Sequence, residues 1–326
     1  MTEMMQAGVA SESGLAVREV ARPTPGAGQV LVRVAAAGMN RADLNAAKGA
    51  GVASKESLGK PIGMEWSGVI TEIGEGVRGF TAGDRVMCSG SGGYAEYVVA
   101  DAGRALKLEG DFDMRRAAVL PLALLTAHDA LITHGRLAKG GAVLVQGASS
   151  AVGLMTLQIA RQMGAEVIAG TSSNAERRGR LKEFGATLAL DPSDASWADA
   201  LLAASGGKGV DVVVDMVSGP AVNLCMKAAA VRGRIVNVGR LGGVKADFDF
   251  DLHAARRLDY IGVTFRTRTL AEVREIVSRM HGDLWDHVMA GRLSLPIDSV
   301  FPLAEAPAAH QRMAANAHFG KIALIP

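Results

Sequence analysis

The chain carries its apolar residues in two textures, and each predicts a different kind of element. Over the first 120 residues, short runs at 29–35, 66–73, 85–88 and 94–99 read as strands, separated by turn signals at Gly74-Glu75-Gly76 and Gly83-Asp84. From Gly140 onward the runs are richer in Val, Leu and Ile. They fall at 142–145, 166–169, 210–214, 234–238 and 260–265, with a weaker one at 187–190. Between them lie helical patterns starting near Ala151, Asn174, Ser196 and Pro220. Alternation of this kind predicts a parallel sheet covered on both faces. In the first helix Val152, Met155, Ile159 and Met163 share a face, and Gly164 is its C-terminal stop. Beyond about residue 268 a helix runs toward Ala290, followed by a strand at 300–303, a short helix to Asn316 and a last strand at 321–325. This tail is too short for a domain and is expected to pack back on the N-terminal β region.

Composition narrows the class. A length of 326 residues exceeds what one core usually fills, so two domains are expected. Hydrophobic residues make up 49% and charged ones 21%, with 35 Lys and Arg against 33 Asp and Glu, which argues against disorder and against a nucleic-acid stripe. Forty glycines against three tryptophans, three tyrosines and eight phenylalanines favour tight βα turns over ring stacking. The longest apolar run, 117–127, stops at His128 and Asp129, short of the roughly 18 residues a bilayer needs, and residues 1–13 lack a secretory pattern. A cytoplasmic protein without a membrane span is therefore expected. Cys88 and Cys225 stand alone, and the seven histidines show no metal spacing with them.

The segment Val143-Leu144-Val145-Gln146-Gly147-Ala148-Ser149-Ser150-Ala151-Val152-Gly153 is a buried strand, a small-residue turn and a helix start. Unpaired N–H groups and the helix dipole bind a pyrophosphate in such a place, while small side chains let the backbone approach it. Against G-x-G-x-x-G the last glycine is kept, and Ser150 stands in the middle; the competing reading is a Gly/Ser turn capping a core helix. The next strand ends in Gly170-Thr171-Ser172-Ser173-Asn174, followed by Arg177 and Arg178. No Asp or Glu is there to accept from a ribose 2′-hydroxyl, and the hydroxyls, the amide and the arginines suit a 2′-phosphate, hence NADPH. Solvated helix arginines are the alternative.

The loop Gly147 to Gly153 resembles that of the zinc-independent NADPH:quinone oxidoreductases of the medium-chain dehydrogenase/reductase superfamily, where serine often stands in the middle. Gly38-Met39-Asn40-Arg41-Ala42-Asp43, Gly63-Met64-Glu65-Trp66-Ser67-Gly68, Gly83-Asp84-Arg85-Val86, Gly93-Tyr94-Ala95-Glu96-Tyr97, Leu125-Thr126-Ala127 and Gly320-Lys321-Ile322 agree with it. The resemblance implies an α/β fold: a GroES-like β-rich catalytic domain, 1–120 completed by 266–326, and a doubly wound Rossmann domain at 121–265. It also implies a homodimer through the sixth strand. Zinc-dependent relatives place Cys and His where Asn40 and Met64 stand, so no catalytic metal is expected. Without a Lewis acid, acceptors that delocalise the incoming charge are favoured, namely quinones or activated C=C and enone compounds. The alternative is an NADPH-binding protein with little turnover, of crystallin-like, RNA-associated or redox-sensing kind.

Carried over from the family pattern, Asn40 and Asp43 line or support the substrate side and Thr126 lies near the nicotinamide, although Asn40 and Asp43 are also ordinary capping residues. The cofactor set comprises Gly147, Ala148, Ser149, Ser150, Ala151, Val152, Gly153, Thr171, Ser172, Ser173, Asn174, Arg177, Arg178 and Gly239, with Lys321 assisting the 2′-phosphate. Some relatives carry a proton-donating tyrosine shortly after the Asn-Arg-Ala-Asp segment, and Lys48-Gly49-Ala50-Gly51-Val52 contains none. Solvent or an unassigned side chain then supplies the proton.

Overall fold

The computed structural model describes residues 3–48 and 58–326, so most of the tyrosine-free segment at 48–52 lies outside the described residues. In chain order the strands are β1 (Met4–Ser11), β2 (Gly14–Ala21), β3 (Gln29–Gly38), β4 (Glu65–Ile73), β5 (Arg85–Ser89), β6 (Tyr97–Asp101), β7 (Ala105–Lys107), β8 (Ala142–Gln146), β9 (Val167–Thr171), β10 (Leu188–Leu190), β11 (Val210–Asp215), β12 (Ala229–Asn237), β13 (Asp259–Gly262), β14 (Ile297–Pro302) and β15 (Lys321–Ile325). The chain divides into one unit made of the residues up to Leu122 together with Thr269–Pro326, and a second made of Ala123–Arg268.

The first unit is β-rich. Its larger sheet runs β14-β15-β3-β4-β5-β7, with β6 also paired to β3, and β1 and β2 form a separate hairpin. Chain return puts the last strand inside this unit, where Leu324 and Ala323 pair with Ala37 and Gly38 on β3. The core is built from Val30, Val32, Trp66, Ile70, Ile322 and Leu324, closed by Leu303 and Met313 of the C-terminal segment. Burial of such β-branched and aromatic side chains on one sheet face stabilises the pairing.

The second unit is a parallel sheet in the order β10-β9-β8-β11-β12-β13. Strand order reverses between β8 and β11, so the carboxyl ends of these two neighbours flank the crevice where doubly wound folds bind ligands. β8 is buried at every position, as expected for a strand covered on both faces. The fold is thus α/β, a doubly wound parallel sheet with a separate β-rich unit. No helix among the described residues is long and apolar enough to cross a membrane.

Three local expectations are corrected. The hairpin β1–β2 is absent from the sequence reading because its buried positions are mostly small, Ala7, Val9 and Ala10 beside Met5, and give little alternation in hydropathy. The strand expected at 94–99 begins at Tyr97, because the Tyr94 N–H donates to the Ile62 carbonyl at 2.8 Å, outside the ladder to β3. The run at 260–265 yields only β13, and the Val263 N–H still donates to the Asn237 carbonyl at 3.0 Å where the chain leaves the sheet.

Candidate functional site

At the carboxyl end of β8 the chain turns on Gly147 with φ +72° and enters the helix Ala151–Gln162. Ser150 is the helix N-cap, its hydroxyl accepting from the Gly153 N–H at 3.1 Å. Serine in the middle of the glycine pattern is therefore a capping choice that leaves the helix start intact. Gly153 is required by packing, since a Cβ there would stand 2.6 Å from the Ala148 Cα and carbonyl oxygen. Ala148 is buried, whereas Gly147, Ser149, Ser150, Ala151 and Val152 are half-buried. The first N–H groups of the helix have no carbonyl one turn back, so the loop presents donors to an anion. This cradle fits a dinucleotide pyrophosphate.

Beside it, the end of β9 holds the loop in shape. The Thr171 hydroxyl donates to Gln146 Oε1 at 2.6 Å and accepts from the Gly147 N–H at 3.1 Å, and the Thr171 carbonyl accepts from the Ala148 N–H at 2.8 Å. Thr171 is accordingly buried and supports the shape of the loop. The Ser172 hydroxyl donates to Ser149 Oγ at 3.0 Å, Asn174 Oδ1 accepts from the Arg177 N–H at 2.9 Å, and Ser173 is exposed. Arg178 donates to the Ser172 carbonyl at 2.7 Å and pairs with Asp191 at 3.0 Å, which ties its guanidinium to the strand ends. Arg177 stands half-buried in the first turn of the helix Ala175–Gly179.

The ends of the next two strands add a feature absent from the sequence reading. Asp215 Oδ1 accepts from the Val217 and Ser218 N–H groups at 2.8 and 2.9 Å, closing the turn after β11, and burial holds this carboxyl above the usual carboxylate range. A Cβ on Gly239 would stand 2.6 Å from the Met216 carbonyl, so glycine here serves the packing of two adjacent loops. A cavity of about 260 Å³ opens nearby, lined among others by Ser218, Asn237, Arg240, Phe248 and Tyr260. Thr126, in the same unit, is half-buried on the helix Pro121–His128.

In the β-rich unit the structure gathers Asn40 and Asp43 with three residues that sequence reasoning did not join to them. The Asn40 carboxamide donates through Nδ2 to Glu65 Oε1 at 3.0 Å and accepts at Oδ1 from Lys321 Nζ at 2.8 Å. Lys321 and Glu65, both buried, form an ion pair, and Glu65 Oε2 also accepts from the Leu122 N–H at 2.8 Å. Gly38 makes room for this carboxylate, because a Cβ there would stand 2.6 Å from Glu65 Oε1. Asp43 Oδ2 accepts from the Asn40 N–H at 2.8 Å and from the Tyr94 hydroxyl at 2.7 Å. The Lys321 ammonium is thus engaged by Glu65 and Asn40 inside this unit. A lone Glu in an apolar strand was the available signal for this cluster.

Burial lifts the Asp43 carboxyl to about 7, against the opposing hydrogen bonds from Tyr94 and Asn40, and burial pushes the Tyr94 phenol well above its ordinary value. His310, whose ring meets Tyr94 edge-on at 6.0 Å, is pushed down to about 4 by burial. The two groups act oppositely on stability. Folding favours protonated Asp43, so its contribution is present below about pH 4 and is lost as pH rises to about 7. Folding favours neutral His310, so its contribution is present above 6.5 and is lost as pH falls toward about 4. Chemical denaturation of His310→Phe is expected to show stability declining from pH 4 to 7, and that of Asp43→Asn a rise from pH 4 to 6.5. A flat profile in His310→Phe would refute the raised Asp43.

Among the described residues no group of three or more His, Cys, Asp and Glu could hold a metal ion, and Asn40 with Met64 is not a zinc donor set. The described residues therefore do not fit a catalytic zinc.

Residues 151–281 match the family model described as zinc-binding dehydrogenase, and residues 26–110 that of the alcohol dehydrogenase GroES-like domain. Over 310 residues the chain is 31% identical to a quinone oxidoreductase of Rattus norvegicus, spanning 94% of this chain and 92% of the rat protein. A mycobacterial quinone oxidoreductase superposes with a TM-score of 0.86 at 28% identity, covering 99% of this chain and all of the other. A mycobacterial structure in complex with NADPH gives 0.85 at 28% identity, with the same coverage.

Proposed function

Since the chain belongs to the quinone oxidoreductase family of the medium-chain dehydrogenase/reductase superfamily, we propose that it is an NADPH-dependent, metal-free reductase of quinones or of activated C=C and enone compounds. The observation that carries the cofactor choice is the end of β9. There Thr171, Ser172 and Ser173 stand where a carboxylate would repel a 2′-phosphate, and Arg177 follows on the next helix turn. Gly147 to Gly153 would hold the pyrophosphate at the helix start, Ser172, Ser173 and Arg177 the 2′-phosphate, and the Gly239 backbone would border the nicotinamide side. Bound there, NADPH supplies a hydride.

The acceptor class follows from the donor set. With Asn40 and Met64 in place of zinc ligands, no Lewis acid neutralises an alkoxide, so acceptors that spread the charge over a ring or an enolate are the ones this site can reduce. Asn40 is the hydrogen-bond donor we assign to the acceptor oxygen, with Asp43 supporting its backbone through the Asn40 N–H. A homodimer through β13 accords with that strand's place at the end of the sheet and with the exposed apolar side chains Leu241, Val244, Phe250 and Tyr260. Sedimentation at twice the chain mass is the expected result.

Oxidation of NADPH with 1,2- and 1,4-quinones and with enones, read at the reduced-nicotinamide absorbance, tests the activity. Tight NADPH binding with no oxidation would favour the low-turnover reading instead. Arg177→Ala is expected to weaken NADPH by about 1–3 kcal/mol, roughly 5–150-fold, and to leave NADH nearly unchanged. Equal loss of both nucleotides would remove Arg177 from the 2′-phosphate.

A further inference from the structure

An asparagine amide has almost the same shape after a half-turn about its last bond, which exchanges its oxygen for its nitrogen. Only its partners decide which way it faces. Asn40 has two charged partners, and both choose the same sense. The Lys321 ammonium has only donors and meets Oδ1, while the Glu65 carboxylate has only acceptors and meets Nδ2. A flip would set –NH₂ against –NH₃⁺ and oxygen against carboxylate, in a cluster where Glu65 and Lys321 are almost wholly buried and screening is weak. The main chain is held as well, through the Asn40 N–H on Asp43 Oδ2. Of the two Nδ2 hydrogens one serves Glu65, and the other has only a long contact of 3.5 Å to the Gly38 carbonyl. Asn40 is half-buried, so this second hydrogen is the donor the side chain can lend.

We propose that the buried Glu65–Lys321 ion pair is a positioning device that fixes the Asn40 carboxamide in one sense, so that it presents a donor and never an acceptor to the oxygen of the molecule being reduced. The pair acts through Asn40 and touches no reacting atom. Conversion of a carbonyl to a more basic oxygen strengthens a hydrogen bond from a donor and is opposed by an acceptor, so orientation of this amide decides whether it helps. The inference rests on the reading of Asn40 given under the proposed function.

The test is the double variant Glu65→Gln/Lys321→Met. It removes both charges together and so leaves no lone buried ion. The introduced glutamine keeps its oxygen on the Leu122 N–H and so turns its –NH₂ to Asn40, which favours the reversed sense without the charges that lock it, while hydrogen bonding survives. Expected are a melting temperature within a few degrees of wild type, an NADPH Kd within twofold, and a kcat at least tenfold lower. Asn40→Ala is expected to lose kcat to a similar extent, and the triple variant to lose no more than Asn40→Ala alone, since the pair has then nothing to orient. Independently of turnover, the Asn40 side-chain amide should give one sharp pair of NMR resonances in wild type and an exchange-broadened pair in the double variant. Undisturbed Asn40 resonances with kcat within twofold of wild type overturn the proposal, as do losses that multiply in the triple variant. A wild-type protein that oxidises no NADPH, yet shows the broadening, overturns the proposed activity and upholds the orientation.

Discussion

Lys321→Met on its own is expected to destabilise the β-rich unit by about 3–5 kcal/mol, far more than the double variant with Glu65→Gln. The single change strands the Glu65 carboxylate, which is fully buried and keeps only Asn40 Nδ2 and the Leu122 N–H as donors. An uncompensated buried charge costs more than a missing pair, because the desolvation of the remaining ion is no longer offset by its neighbour. Glu65→Gln alone strands the ammonium instead and should also destabilise, so the three variants form a cycle with strong coupling between positions 65 and 321. Denaturant unfolding measures it. Additive losses, with the double variant as unstable as the sum of the singles, would mean that the two charges do not share one buried contact.

Gly153→Val is expected to abolish measurable binding of both NADPH and NADH, in contrast to Arg177→Ala, which separates them. Even the first carbon of a side chain at 153 would stand 2.6 Å from the Ala148 backbone, so the helix start and the turn must move apart. Overpacking of a close contact costs about 1–3 kcal/mol of stability. The larger effect falls on binding, because the N–H groups at 151 and 152 lose the geometry in which they converge on one phosphate. Parallel-sheet circular dichroism should survive, since β8 and β11 pair independently of the turn at positions 212–215 against 143–146. Isothermal titration that finds either nucleotide bound with wild-type affinity would remove the loop from the cofactor site.

These two experiments probe features of different legibility. The loop from Gly147 to Gly153 could be read in the linear chain because it is local: a buried strand, a small-residue turn and an amphipathic helix stand consecutively, and each leaves its own periodicity. Ser150 was legible as a departure from the glycine pattern, and the capping bond to Gly153 explains it. The β1–β2 hairpin was less visible, because Ala and Gly positions bury little area and change hydropathy little along the strand.

The cluster at Asn40 shows where linear reading stops. Asn40 and Asp43 stood out as a segment, and the commitments of Glu65 and Lys321 did not, because 65 lies 25 positions away and 321 lies 281 away. What unites them is strand register: Gly38 pairs with Glu65 on one side and with Ala323 on the other. Register is an outcome of the whole sheet packing its hydrophobic face, and a slip of one residue would turn the Lys321 side chain to the opposite face. The same holds for Arg178, whose tie to Asp191 appears only when β9 and β10 lie side by side. Period, turn chemistry and the small-residue loop follow from neighbours in the chain, and these determined the class of fold and its parallel-sheet unit. Which charges meet, which carboxyl is buried without a cation and which arginine is already engaged depend on contacts between distant strands, and only the folded protein decides them.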